Sequence, residues 1–549
     1  MQGKLQLLQL PLFYLLVKEK SKLENYAVSM RGVTKAFGTK VVANKSVDFD
    51  LKYGTIVSLL GENGSGKTTL MNMLSGIYFP DSGTISIDGK EVMIKSPHDA
   101  MDLGIGMVHQ HFKLVDVFTA AENIVLGLEG KLKIDEVAFR VKEICDKYGF
   151  EVDPYKKVYS MSVAEKQTLE IVKVLYRGAN VLILDEPTAV LTPQETKKLF
   201  SVMRNMKADG KSIIIITHKL NEVLEISDEI AVLRKGEYVG TVKSGEATEE
   251  SLTELMVGEK VELNIYRSEP KNTELRLNVE HLTVTDHNDV KTLDDVSFKA
   301  YSGEILGIAG ISGCGQRELL ETIAGLIKPQ ENSSVLFTPN KNETEQLIGK
   351  SPRKIRECGV ELSFVPEDRL GMGLVGSMGM PGNMMLRSYT EGNTPFLQSK
   401  KPRKLSAKIK EELGVLTPGI NTPVRQLSGG NVQKVLVGRE IANAPSVLMT
   451  AYAVRGLDIN TSYTIYNLLN KQKEEGVAVV YVGEDLDVLL ALSDKILVLC
   501  DGKVNGLLDA RSTTKEEVGL LMTNLQNNDS TSNLPKDGTD AEMGGGIDG

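Results

Sequence analysis

The sequence runs to 549 residues with a formal net charge of −9, too long for one hydrophobic core and too acidic for a sequence-independent grip on nucleic acid, which needs surplus Lys and Arg. Domains of roughly 100–200 residues allow three or four units, and two large α/β domains also fit. Cys145, Cys314, Cys358 and Cys500 form no CxxC pair, so neither a disulfide framework nor a zinc site is indicated and a reducing compartment is expected.

Residues 1–24 hold LQLLQLPLFYLLV, Leu5 to Val17, which falls short of the ~18 apolar residues that span a bilayer and is interrupted by Pro11. No small-residue cleavage pattern follows, and the segment reads as a non-essential extension, an interfacial anchor or a signal peptide. From residue 25, short alternating strands lead into the apolar run Ile56 to Leu60, then GENGSGKTT, then the helix-like LMNMLSGIY. Strand, glycine-rich turn and helix start aim backbone N–H groups and the positive helix end at one point, which suits a polyphosphate. The candidate nucleotide contacts here are Gly61, Glu62, Asn63, Gly64, Ser65, Gly66, Lys67, Thr68 and Thr69. Lys67 reaches the β- and γ-phosphates, and the Thr68 hydroxyl ligates Mg²⁺.

Phe37, upstream, is either an adenine-stacking ring or a core residue. Gln110, in GMVHQHF after a short apolar strand, can bridge Mg²⁺ and the attacking water, and a helical insert is expected around Ala120 to Ser160. In VLILDEPT the apolar run ends in Asp185 and Glu186 at a strand's carboxyl end, where α/β sheets bind ligands. There Asp185 would hold Mg²⁺ through water, and Glu186 would act as general base on the attacking water; adjacent acids can also be merely solvated. His218, closing the strand IIIITHK, is a candidate γ-phosphate contact or a structural histidine.

About 250 residues on, the layout repeats. LNVEHLTVTDHNDVKTLDDVSFKAYSGEILGIAGISGCG matches the strands and loop of the first half, SVLMTAYAV matches NVLILDEPTAV, and VAVVYVGEDLDVLLALSDKILVLCDGK matches SIIIITHKLNEVLEISDEIAVLRKGE. One long period means a duplicated domain, not a solenoid. The apolar runs are too continuous to have a wet face, as in parallel strands covered on both sides. The junction, Val261 to Asn278, is polar and short; the expected domains are 25–262 and 263–525, with a second helical insert around Gly382 to Gln426 and a disordered tail at 526–549.

The second copy lacks the chemistry. Gln316 stands where Lys67 stands and Arg317 where Thr68 stands; Ala451 and Tyr452 replace Asp185 and Glu186; Glu484 replaces His218 and Glu367 replaces Gln110. Losing the base alone costs roughly 10²–10⁴ in rate. LSGGNVQKVLVGRE shows the reverse asymmetry: Ser428, Gly429 and Gly430 are intact, whereas YSMSVAEKQ in the first half keeps Ser162 but has Val163 and Ala164 for the glycines. Alone, LSGG before a helix is also an ordinary capping turn.

With these motifs in order, residues 25 to 525 resemble the ATP-binding subunit of an ABC importer with two fused nucleotide-binding domains, of the monosaccharide and nucleoside uptake type. The resemblance implies an α/β fold of two tandem P-loop ABC-type ATPase domains, each a mostly parallel sheet with an antiparallel β subdomain and a helical insert. It also implies head-to-tail pairing, so that ATP and Mg²⁺ bound by the first half's loop meet Ser428, Gly429, Gly430 and Asp458 of the second. One composite site is then competent and the other inert. Two permease subunits and an extracellular or lipoprotein substrate-binding protein are implied as separate chains, with this one peripheral on the cytoplasmic face of the plasma (inner) membrane and no nucleic acid bound. GMVHQHFKLVDVFTAAENIVLG and the lost DE pair before RGLD resemble the nucleoside branch. The alternative is a soluble tandem ABC ATPase acting on ribosome or nucleic acid, though such relatives usually carry a long charged linker and two complete sites.

Overall fold

The computed structural model describes residues 26–38, 41–128, 133–189, 191–260, 264–286, 289–311, 313–340, 343–364, 370, 373–389, 397–441, 445–454, 457–483 and 485–523. The extension, the tail, Glu367 and Glu484 lie outside them.

The first half begins with a four-stranded antiparallel sheet of β1 (Tyr26–Phe37), β2 (Val41–Lys52), β4 (Ser82–Ile87) and β5 (Lys90–Val92), in the order β2-β1-β4-β5. A six-stranded sheet follows, ordered β10-β9-β3-β8-β7-β6, from β3 (Ile56–Leu60), β6 (Ile105–Val108), β7 (Val181–Asp185), β8 (Ser212–Ile216), β9 (Glu229–Arg234) and β10 (Glu237–Lys243). All its pairings are parallel except that of the edge strand β10.

Every residue of β3, β7 and β8 is buried. Because successive side chains of a strand point to opposite faces, Ile213 and Ile215 enter a core shared with the helices Ala120–Val125 and Val163–Tyr176. Ile214 and Ile216 enter a second core, shared with β1, β2 and the helix Lys67–Leu74. The sheet is thus sandwiched, as the apolar runs require. In the insert, Thr119 and Glu122 form a reciprocal capping box at the start of Ala120–Val125, and the helix Ile134–Tyr148 ends at Gly149 with φ 88°.

The second half repeats this topology. Strands β11 (Leu275–Thr285), β12 (Lys291–Tyr301), β14 (Ser334–Asn340) and β15 (Glu343–Gln346) form the antiparallel sheet. Strands β13 (Ile305–Ala309), β16 (Val360–Phe364), β17 (Val447–Ala451), β18 (Ala478–Val482), β19 (Lys495–Cys500) and β20 (Lys503–Asp509) run in the order β16-β17-β18-β13-β19-β20, the first-half order read from the other edge. Its insert carries the helices Met380–Ser388 and Lys400–Glu412.

The connecting segment is docked on the second half. Arg267 donates to the carbonyls of Leu490 (3.0 Å) and Ser493 (2.6 Å), and the buried Lys473 pairs with Asp494 at 2.8 Å while also donating to the Ser268 carbonyl. Asp494 in turn accepts the N–H of Ile305 at the start of β13 (2.8 Å). Removing one member of a buried pair leaves a desolvated charge, at a cost of about 3–5 kcal/mol. Lys473→Ala is therefore expected to lower unfolding stability by about 3 kcal/mol in denaturant titration, the low end of that range, since Arg511 stands 3.6 Å from Asp494 and remains.

Candidate functional site

The parallel register brings the candidate residues to one sheet edge. Leu59 pairs with Ile216, Ile216 with Asp185, and Leu184 with Val108, so the loops that leave β3, β8, β7 and β6 begin side by side. Those loops carry Gly61 to Thr69, His218, Glu186 and Gln110. This is the carboxyl edge of the sheet, where open α/β folds bind ligands.

Two glycines let the phosphate loop pack this tightly. Gly61 has φ 157°, and a Cβ there would stand 2.3 Å from the Leu233 carbonyl oxygen; Gly66, at φ 96°, caps the helix Lys67–Leu74 with the Ala43 carbonyl oxygen 2.3 Å from where a Cβ would be. At Gly64 the added Cβ would meet nothing within 4 Å, so that stretch of backbone is open to a ligand. Lys67 is buried and donates to the carbonyls of Gly61 (2.6 Å) and Glu62 (3.0 Å). Burial lowers its pKa, opposed by the charges of Glu186, Asp185 and Glu62.

Asp185 is buried, and its carboxyl is pushed up to about 6, first by burial and then by Glu186, against the pull of Lys67, a hydrogen bond from Thr68, and His111. Glu186 takes φ 49°, a left-handed conformation that costs a non-glycine residue about 1–3 kcal/mol, held by its N–H to the Ile216 carbonyl (2.8 Å). Its Oε1 lies 2.9 Å from His218 Nδ1, while its Oε2 is buried without a partner. The His218 side chain is 57% exposed. Desolvation lowers its pKa, but the hydrogen bond and charge of Glu186 outweigh that and raise it. Gln110 is exposed, two residues past β6.

Phe37 is 41% exposed at the end of β1, with Tyr78 edge-on at 5.2 Å, so it is not a core residue. Tyr78, at the end of LMNMLSGIY, and His111, beside Gln110 in GMVHQHF, carry no signal of their own in those stretches, and only the fold sets Tyr78 against Phe37 and His111 within reach of Asp185.

These groups suit a nucleotide and a divalent cation. Ser65 Oγ and Glu186 Oε2 are buried hydrogen-bonding atoms without partners, and each such atom costs about 1–3 kcal/mol until a ligand satisfies it. Among the described residues no group of three or more His, Cys, Asp or Glu could hold a metal alone. Thr68 is hydrogen-bonded to Asp185, and a cation held by that pair would need further oxygens, such as those of a phosphate, to complete its shell.

The second loop keeps the backbone and changes the chemistry. Gly315 caps the helix Gln316–Ile323 at φ 94°, and Gln316 Nε2 donates to the Ile311 carbonyl (3.1 Å) as Lys67 does to that of Glu62. Tyr452 sits at φ 57° with its N–H on the Val482 carbonyl (3.1 Å), the turn of Glu186 without its carboxylate. Arg317 is held by Glu321 at 2.7 Å.

The two signature helices also differ. In the first half the Ser162 hydroxyl accepts the N–H of Glu165 (3.2 Å) in a capping box. In the second, Ser428 Oγ accepts instead from a side chain, Asn431 Nδ2 (2.8 Å), and in both the hydroxyl proton is left to donate. Ser428 and Gly429 are exposed, and a Cβ on Gly430 would meet nothing within 4 Å.

The halves meet head to tail. Asp458 caps the helix Ile459–Glu474 through Thr461 (2.8 Å) and stands beside Glu62 of the first phosphate loop. Burial and then Asp458 raise the Glu62 pKa, while the Ile459 N–H bonded to its carboxylate opposes the rise. On the opposite side Thr192, which caps the helix Pro193–Ala208, faces Ile311 and Cys314 of the second loop across a cavity of about 400 Å³. There Gln194 donates to the Glu516 carbonyl (3.0 Å), and Lys197 pairs with Glu516 (3.0 Å).

A duplicated phosphate-loop ATPase whose halves face each other in this way is a tandem ATP-binding cassette protein. The chain belongs to the ABC transporter family, whose model matches residues 44–189 and 293–450, and is an ATPase coupled to transport. It is 41% identical over 502 residues to the nucleoside import ATP-binding protein NupA of Lactococcus lactis subsp. cremoris, covering 90% of this chain and 97% of the relative. It is 40% identical over 506 residues to the guanosine import ATP-binding protein NupO of Bacillus subtilis, with the same coverage. Among solved structures, the archaeal ribosome recycling factor aABCE1, in complex with stalk protein aP1, superposes with a TM-score of 0.54 over 87% of this chain and 90% of that one. At 16% identity that likeness shows the fold alone.

The raised Asp185 pKa carries a stability cost with a definite sign. A carboxyl whose folded pKa, about 6, lies above its ordinary value of 3.8 stabilises the fold only while protonated, and that advantage is lost as pH rises through 6. Across that span the loss is ~3 kcal/mol. Asp185→Asn is expected to raise the unfolding free energy of the nucleotide-free protein at pH 8 by up to that amount and by much less at pH 4.5, while abolishing ATPase; paired denaturation curves at the two pH values check it.

Proposed function

We propose that this chain energises the uptake of a nucleoside through separate membrane permeases, using one competent ATP site built from both halves and leaving the other inert. The observation that carries the reading is the direct apposition of Glu62, in the intact phosphate loop, and Asp458 with the Ile459 N–H, in the half whose signature is intact. Every missing group, from Gln316 and Tyr452 to Val163 and Ala164, falls on the opposite side.

In the competent site the loop N–H groups and Lys67 bind the phosphates, and Ser428, Gly429 and Gly430 close over the γ-phosphate from the other half. Phe37, backed by Tyr78, meets adenine. Thr68 and Asp185, the latter through water, with Gln110 would hold Mg²⁺, which when bound supplies positive charge against the phosphate oxygens. Glu186 takes the proton of the attacking water through the Oε2 that has no partner, and His218 fixes the carboxylate through Oε1. ATP favours the closed pair because it binds both halves; cleavage removes that preference and the halves part.

Among the described residues no helix is long and apolar enough to cross a membrane. The permeases, docked near Gln110 and the inserts, would hold the chain at the cytoplasmic face, and a separate binding protein would deliver the solute. The nucleoside assignment follows the names of the two relatives, with a simple sugar as second solute class.

The test uses the chain assembled with its permeases in vesicles. Lys67→Ala, Glu186→Gln and Ser428→Arg are each expected to reduce ATPase and nucleoside uptake by roughly 10²-fold or more, and Gln316→Ala to leave most of both. Equal loss in all four refutes the one-site reading; ribose uptake without nucleoside uptake reassigns the solute.

A further inference from the structure

Glu186 and His218 stand on turns that leave different strands, and their 2.9 Å contact requires those turns to keep a fixed separation. A closed ring of three side-chain contacts joins the turns. Thr188, two residues after Glu186 and 1% exposed, donates through its hydroxyl to Glu222 Oε2. Glu222, on the helix Leu220–Ile226, pairs through Oε1 with Lys219 at 3.0 Å, and Lys219, adjacent to His218, returns to the Thr188 carbonyl at 3.2 Å. Of the two catalytic carboxylate oxygens, only Oε1 is bonded, so the orientation of Glu186 depends on where these turns are held.

The second half supplies an internal control. It makes the same left-handed turn at Tyr452 and the same following helix, Leu486–Leu492, yet the positions of Thr188, Lys219 and Glu222 are occupied by Val454, Asp485 and Val488. Two valines cannot close such a ring, and Asp485 instead caps its own helix by accepting the N–H of Asp487 (2.9 Å). The turns therefore fold without the ring, and the ring occurs in the half that has the carboxylate and histidine to position.

We propose that Thr188, Lys219 and Glu222 are positioning residues that hold the Glu186 and His218 turns in register for hydrolysis; this rests on the catalytic roles given above to Glu186 and His218. The contacts of the ring are made among its own three residues. Its loss misplaces the base and leaves ATP binding unchanged.

The experiment measures steady-state ATPase of the full chain with its permeases, together with ATP affinity and the thermal midpoint. Thr188→Val and Glu222→Val, which install the second half's residues, are each expected to lower kcat by roughly tenfold to a hundredfold with KM for ATP within about twofold of the parent. The double variant should fall no further than the worse single one, since the three contacts act as a unit, and Thr188→Ser, which restores the hydroxyl, should recover kcat to within about threefold. Retention of kcat within about twofold in both valine variants, or a rise in KM that accounts for the loss, overturns the proposal, as does a Thr188→Ser as impaired as Thr188→Val. Glu186→Gln is the reference: if it still turns over, the catalytic assignment fails, whereas if it is dead while both valine variants are active, only the positioning role fails.

Discussion

The close approach of backbone to backbone at Gly61 and Gly66 is the constraint on which the rest of the site depends. It sets the loop after β3 against the Leu233 and Ala43 carbonyls and lets Lys67 fold back onto Gly61 and Glu62. The second half builds the same loop around Gly315 and the same inward reach from Gln316. The architecture has thus been copied without its charges. A neutral amide satisfies the loop carbonyl as well as an ammonium does, but it offers no charge to a phosphate.

Electrostatics explain why the intact site is costly to maintain. Lys67, Asp185 and Glu186 stand close together with little solvent exposure, so burial works against the charged form of Lys67 and Asp185, and each ion is stabilised chiefly by its neighbours. The left-handed backbone at Glu186 and the unmatched oxygen of its carboxylate add to the strain. Tyr452 keeps the same backbone with no carboxylate, which shows that the turn belongs to the fold and that the charge was placed upon it.

The interface between the halves has unlike sides. Where the first loop meets the second half, two carboxylates, Glu62 and Asp458, stand together with a helix N-terminus between them, an arrangement sensitive to whatever charge enters. Where the second loop meets the first half, a cavity separates the loop from Thr192, and Gln194 and Lys197 contact Glu516, as Asn460 contacts Glu259 on the first side. In the proposed reading a nucleotide at the first site meets both halves at once.

The sequence by itself determined the duplication, the parallel sheets and the phosphate loop, because each is written in local pattern: an unbroken apolar run for a strand covered on both faces, glycines at a fixed spacing, a lysine and a hydroxyl residue at the helix start. It also showed which half lacks a base, since Gln316, Ala451 and Tyr452 are read by aligning the chain with itself. Only the tertiary structure decided that Phe37 lies at the surface beside Tyr78, that His218 holds Glu186, and that Thr188, Lys219 and Glu222 close a ring. Only it set Asp458 against Glu62, nearly 400 residues away in the chain. Such pairings have no local signature, because strand order and the docking of the two halves bring the partners together and no periodicity encodes the distance between them.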